Sequence, residues 1–245
     1  MNTVFTYITN EEFEQLYMQL REKEGRVYHD DEVAKLPVIK NTHLFYKEWE
    51  IRKRSTKKII TYLKHKGDEL DILEVGCGNG WLSAQLAAIT KGKVIGIDVN
   101  AAELQQAQRV FHKIPNLTYV QCSLDSDFLQ DKKFDIILFA ASIQYFPSLK
   151  KTISVAATHM TLQGEIHIID SHFYNQNEIA AAKQRTEDYF TALGFEDMAP
   201  FYFHHSLDDL KKFNYNIFYN PSAWFNSLGR NKNPFYHVII KNRYQ

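Results

Sequence analysis

The run DILEVGCGNGWLSAQLA, Asp71 to Ala87, followed by VIGIDVN, Val94 to Asn100, constrains this chain more than any other part of it. It reads as an apolar strand, a loop with glycine at every second position, a helix, and a second apolar strand that ends in an acid. Strand, loop, helix, strand is a βαβ unit, which commits the chain to a parallel sheet with helices packed on it. Glycines at 76, 78 and 80 let a ligand lie against bare main chain where a Cβ would collide. Asp98 suits a ribose, whose two hydroxyls both need acceptors. It also falls close to the offset of about 20 residues at which a ribose acid follows such a loop. A nucleoside-bearing cofactor is therefore expected.

The same rhythm continues on both sides. Further strands are expected at Leu117–Gln121, Phe134–Phe139 and Glu165–Ile169, the last entered through a turn at Gly164. FDIILF is almost wholly apolar, as a strand buried on both faces should be. Asn100 with Glu103 gives a capping-box signal for a helix burying Leu104, Ala107, Phe111 and Ile114. Ser148 caps another, carrying Ile153, Ala156 and Met160. Asn175 and Glu178 open a helix that ends at Gly194. A short helix over Leu207–Phe213 and two strands, Asn216–Tyr219 and Phe235–Lys241, complete the chain. Ahead of the βαβ unit, Asn10 can cap a helix whose apolar face is Phe13, Leu16, Tyr17 and Leu20. A second helix is expected from Phe45 to His65, closed by Gly67.

The loop glycines are spaced two and two, unlike the G-x-G-x-x-G of dinucleotide sites. Glu74 stands just before them, where an acid repels a diphosphate but can hold a cation. The E-x-G-x-G-x-G run, the IDV that ends the second strand and the FDIILF strand occur in this order between Asp71 and Ser171. Together they resemble the class I S-adenosylmethionine-dependent methyltransferases. The resemblance implies an α/β fold: a doubly wound, Rossmann-like, seven-stranded and mainly parallel sheet with an antiparallel edge strand. It implies a helical cap or lid over residues 1–69. Residues 70–245 would be the cofactor-binding domain, with an aromatic-rich insertion at about 195–224, from Phe195 to Trp224.

S-adenosylmethionine is the cofactor that the resemblance implies. Glu74, Gly76, Cys77, Gly78, Asn79 and Gly80 would surround its methionine part and ribose. Asp98 would take the ribose hydroxyls and Val99 would pack on the adenine. Where the family often carries Gly-Asp-Ala after the third strand, this chain has Cys122, Ser123 and Leu124, so Ser123 offers a weaker contact and Asp125 can reach over. Ala140, in the FAAS run from Phe139 to Ser142, keeps room where the methyl would emerge. Tyr145 often faces substrate at this position in small-molecule members. Asp170 and His172 end the fifth strand, where either can take a proton from an acceptor or simply bond loop backbone. Lid geometry in the family suggests that Tyr46, Arg52 or Arg54 reaches the cofactor's carboxylate.

Composition narrows the partners. The 245 residues suffice for one good core, and 29 basic against 29 acidic residues leave no bulk charge for nucleic acid or an anionic membrane. The basic stretch Ile51 to Lys66 is expected to be a solvated helix face. Neither an Asn-Pro-Pro-Tyr-like motif nor a Pro-Cys nucleophile is present, so nucleic acid is not the expected acceptor. Cys77 and Cys122 suggest neither disulfides nor zinc, and the adjacent His204 and His205 point apart, so no metal is expected. No signal peptide or membrane-length apolar run is visible, and a cytoplasmic location is expected.

The function expected is in-line methyl transfer from S-adenosylmethionine to a small, partly apolar molecule. The alternatives are a cofactor- or partner-binding protein without turnover, a nucleic-acid or protein methyltransferase using helix 51–66, and a nicotinamide dehydrogenase.

Overall fold

The structure is a computed structural model that describes residues 11–223 and 233–242. Five strands run parallel: β1 (Ile72–Val75), β2 (Val94–Asp98), β3 (Leu117–Gln121), β4 (Phe134–Ala140) and β5 (Met160–Ser171). They are joined by β6 (Asn214–Tyr219) and β7 (Tyr236–Lys241) in the order β3-β2-β1-β4-β5-β7-β6. β7 is antiparallel to both of its neighbours and lies one place in from the edge that β6 occupies. The strand order reverses between β1 and β4, which opens a crevice at their carboxyl ends.

Successive residues of a strand point to opposite faces, and here both faces are covered. One apolar layer joins Ile72, Val94, Leu117 and Ile136 to α4 (Trp81–Ala87) and α5 (Ala101–Phe111). The other joins Leu73, Ile97, Ile137 and Ile166 to Ile153 and Ala156 of α6 (Leu149–Thr158). This double burial is why β1 and β4 carry only two polar residues: Asp135, near the start of β4, accepts from the Asp71 amide and the Thr161 hydroxyl, and Glu74 belongs to the functional site.

The N-terminal helices differ in how they attach. α1 (Glu11–Lys23) and the single turn α2 (Asp30–Val33) precede the long α3 (Tyr46–Lys66), which Gly67 closes. Trp49, Ile59 and Leu63 of α3 pack into the first sheet layer, and the Trp49 indole donates to the Tyr28 hydroxyl at 2.8 Å while its ring meets Trp81 edge-on. α1 packs elsewhere: Leu20 joins Met198 and Phe190, the latter on α7 (Ile179–Leu193), with Phe13, Leu16, Tyr17 and Tyr145 around them.

Several boundaries move from their expected places. Gly164 lies inside β5 rather than before it, because the pairing with β4 begins at Phe134 and Met160. A Cβ at 164 would come within 2.9 Å of the Phe134 carbonyl oxygen. The helix expected over Leu207–Phe213 shrinks to a 3-10 turn, Leu207–Leu210, capped reciprocally by Ser206 and Asp209; β6 then begins at Asn214. Asn175 and Glu178 do cap each other as expected. Asn100 accepts from the Glu103 amide at 2.9 Å, but Glu103 does not return the bond, since the Asn100 amide donates to Asp98. The expected cap Asn10 and the insertion's end at Trp224 lie outside the described residues.

Candidate functional site

The loop after β1 passes through Gly76 and Gly78 at φ of 73° and 51°, a region that side chains rarely enter. A Cβ at 76 would come within 2.5 Å of the Ser142 Cβ, and one at 78 within 3.0 Å of the Glu103 carboxylate. Gly80 serves a different end. It is the αL residue that starts α4, and its missing side chain admits the Tyr119 ring, whose hydroxyl donates to the Gly80 carbonyl at 2.8 Å. The first two glycines therefore shape open space, and the third locks the loop to β3.

Two connected cavities flank the loop. The larger is about 490 Å3, within the ~300–1,000 Å3 typical of small-molecule sites. Asp98, Val99 and Asn100 line it from the end of β2, Ser123 and Leu124 from the loop after β3, and Phe13 and Tyr17 of α1 roof it. The smaller, about 110 Å3, is lined by Glu74, Cys77, Asn79 and Ala140, with Arg21, Arg26 and Arg52 above. Gly76, Gly78, Tyr17, Glu103 and Ala141 border both.

Asp98 holds the loop through its main chain. One carboxylate oxygen accepts from the Gly78 amide at 2.7 Å and the other from the Asn100 amide at 2.9 Å. A carboxylate offers about four lone-pair sites, so two remain for a ribose diol. Beside it, the Asn100 side-chain amide nitrogen is buried and has no hydrogen-bond partner among the described residues. An orphaned buried donor costs about 1–3 kcal/mol, which a hydroxyl or ring nitrogen in this cavity would recover. A cradle closed to side chains, a half-used carboxylate and an unsatisfied donor fit a nucleoside.

The other acids fit a cation. Glu74 is 2% exposed; burial pushes its pKa up to about 8, against the pull of a 2.5 Å bond from the Ser83 hydroxyl and helped by the Asp98 charge. Burial raises Glu103 as well, and Asp98 adds to it. Burial also raises Asp98, but its backbone amides oppose the rise, whereas no hydrogen bond among the described residues offsets the rise at Glu103. Burial and the Asp98 charge thus both favour the neutral form of Glu103. Glu48 behaves oppositely: burial raises it, but Arg26 and Arg52, each bonded to it twice, hold it at about 2. An ammonium or sulfonium entering the smaller cavity meets two acids that can give up a proton to receive it, and a carboxylate entering meets arginines.

Of the residues expected at the site, Glu74, Gly76, Cys77, Gly78, Asn79 and Ala140 gather in the smaller cavity, and Asp98, Val99, Ser123 and Leu124 in the larger. Gly80 is not among the lining residues. Asp125 is exposed and accepts from the Ser123 hydroxyl at 2.7 Å. Tyr145 lines the larger cavity and accepts from Arg21 at 3.1 Å. Asp170 lines none of these cavities; it is 7% exposed, at a positive φ, and takes the Ser55 hydroxyl at 2.5 Å. His172 is likewise not a lining residue and packs its ring on Phe235. Among Tyr46, Arg52 and Arg54, only Arg52 reaches the smaller cavity. His204 bonds Thr186 and His205 the Ile143 carbonyl, and no group of three metal-ligating side chains occurs among the described residues. Tyr17, Arg21, Arg26, Asn100 and Glu103 line the site without being singled out for it by the sequence pattern. Arg21 sits one place after the apolar face of α1, and the spacing of Glu103 from Asn100 points to a cap.

Known proteins share this fold. Residues 66–226 match the family model described as a methyltransferase domain. The chain belongs to that family, and its sheet is that of the class I S-adenosylmethionine-dependent methyltransferases. The malonyl-[acyl-carrier protein] O-methyltransferase of Bacillus cereus is 22% identical over 142 residues, 56% of this chain and 52% of that protein. Its counterpart in Halalkalibacterium halodurans is 21% identical over 137 residues, 52% of this chain and 51% of that protein. The chain spans about half the length of these curated relatives. The magnesium protoporphyrin IX methyltransferase of Synechocystis PCC 6803, solved with bound S-adenosylmethionine, superposes with a TM-score of 0.57 at 15% identity, covering 93% of this chain and 95% of that one. The plantazolicin methyltransferase, solved with S-adenosylhomocysteine, does so at 0.53 and 15% identity, covering 94% and 100%. At such identities the likeness is one of fold.

Proposed function

We propose that the chain is an S-adenosylmethionine-dependent methyltransferase that acts on a small molecule. The observation that carries this reading is the pair of connected cavities: one has a half-used carboxylate and an orphaned amide for a nucleoside, the other buried acids and arginines for an amino-acid end. When bound, the cofactor supplies a methyl on a positively charged sulfur, which an in-line nucleophile displaces. The protein's part is then alignment and exclusion of water. Phe13 and Tyr17 roof the adenosine side, and α1 is pinned there by Glu14, which accepts from the Ala101 amide at 2.6 Å. Within the proposed cap, residues 1–69, α1 is the part that would open, since α3 is built into the sheet layer. Tyr145, held by Arg21, is the side chain proposed to face the reacting atoms. Asp170 and His172 would act only after moving toward the cavities, and Asp170 is tied to Ser55.

A cytoplasmic location belongs to the same proposal, supported by two buried cysteines that form no disulfide. Among the described residues no helix is long and apolar enough to cross a membrane. The test is incubation with methyl-labelled S-adenosylmethionine and a small-metabolite extract, followed by mass spectrometry. Labelled product with stoichiometric S-adenosylhomocysteine is expected. Saturable cofactor binding without any labelled product would favour a binding protein instead.

A further inference from the structure

Behind the roof helix lies a third cavity, about 380 Å3, which meets both halves of the cofactor site. It shares Arg21, Arg26, Glu48 and Arg52 with the smaller cavity and Tyr145 with the larger. Its outer wall is α7, and Tyr174, Tyr202 and Phe190 give it an aromatic lining. The position makes it the chamber for the acceptor, a role that rests on the methyltransferase reading of the two cofactor cavities.

The chamber carries an excess of positive charge. Four guanidiniums, those of Arg21, Arg26, Arg52 and Arg185, face two carboxylates, Glu24 and Glu48. Three of the four are already engaged. Arg21 pairs with Glu24 at 2.9 Å, Arg26 with Glu48 at 2.8 Å, and Arg52 with Glu48 at 3.0 Å. Arg185, on α7, makes no hydrogen bond or ion pair among the described residues, and it stands on the aromatic side of the chamber. Among the described residues no histidine lines this space, and Glu48 is held ionised by its arginines, so an acceptor that needs a strong base to lose a proton is poorly served.

We propose that the methyl acceptor is an anion, with a flat or apolar body that lies against Tyr174, Tyr202 and Phe190 and a carboxylate that pairs with Arg185. The planar guanidinium fork matches a carboxylate two bonds at a time, and the net positive chamber draws an anion toward a cationic cofactor. The reacting end of the molecule then lies inward, beside Tyr145 and Arg21, where the two cofactor cavities join. The wall residues select the body, and Arg185 selects the charge.

The test uses the full chain saturated with S-adenosylhomocysteine and two probes of one shape, hydrocinnamate and its neutral amide, hydrocinnamide, titrated by calorimetry. Hydrocinnamate is expected to bind at least about tenfold more tightly. Arg185→Gln should erase that preference without changing the affinity for S-adenosylhomocysteine, and Arg185→Lys should restore part of it. Equal binding of acid and amide, binding of neither, or a preference that survives Arg185→Gln would each overturn the proposal. Failure of S-adenosylhomocysteine itself to bind, seen in the first titration, would overturn the cofactor reading and this one with it.

Discussion

Asp98 anchors the glycine loop by two backbone amides and still has room for a diol. Asp98→Ala removes the anchor and the acceptors together. It should weaken S-adenosylhomocysteine binding by roughly ten- to a hundredfold in calorimetry, the scale of one or two charge-assisted bonds. Glu103 acts through its charge. Burial and the neighbouring Asp98 raise its pKa, and Glu74 sits at about 8, so both acids ionise more fully as pH rises through that range. A cationic ligand binds the ionised forms, so affinity for S-adenosylmethionine should climb with pH up to about 8. In Glu103→Gln the same pH series should be flatter, and an unchanged slope would take Glu103 out of the cation site. The two acids differ in legibility. Asp98 ends an apolar strand after a glycine loop, a pattern with a narrow range of uses. Glu103 stands three residues after Asn100, a spacing that describes a helix cap equally well. Its carboxylate is left to the cavity because the Asn100 amide donates instead to Asp98, two residues back, a choice of partner that the cap spacing does not reveal.

α1 and α3 have the same kind of apolar periodicity, and it marks both helices; the bounds expected for α3, Phe45 to His65, differ by one residue at each end from Tyr46–Lys66. It does not tell a roof from a core element, because a periodic stripe reports that one face is covered and not what covers it. Trp49 of α3 is 5% exposed and is wedged between Tyr28 and Trp81. Trp49→Ala should therefore cost about 3–5 kcal/mol in urea unfolding. A chain lacking residues 1–23 should still unfold cooperatively, since α1 packs on α7 and the 198–202 segment rather than on the sheet, yet bind S-adenosylhomocysteine much more weakly. Collapse of that shortened chain would make α1 part of the core. The parallel strands are legible because burial on both faces leaves long apolar runs. The turn at Leu207–Leu210 is not, because the spacing of Leu207 and Leu210, which both pack in the α6 layer, suits a single 3-10 turn as well as a longer helix, and Ser206 and Asp209 close it locally.

The molecule as a whole is neutral, with 29 residues of each sign, but its charges are sorted: buried acids beneath the cofactor loop, arginines above it. Glu74 keeps a proton in the folded state up to about pH 8, whereas its ordinary value is 4.5. Between those values the folded chain holds a proton that the unfolded chain has released, so stability falls as pH rises through the window. Thermal melts of the cofactor-free protein should accordingly show a midpoint that declines from about pH 6 to 8, with Glu74→Gln reducing the decline. The central claim is that the crevice at the carboxyl ends of β1 and β4 holds an adenosyl amino acid rather than a dinucleotide. Side-by-side calorimetric titrations with S-adenosylhomocysteine and with NAD address it most directly. One-to-one, saturable binding of the former and no heat from the latter is the predicted result. Binding of NAD with no response to S-adenosylhomocysteine would contradict it.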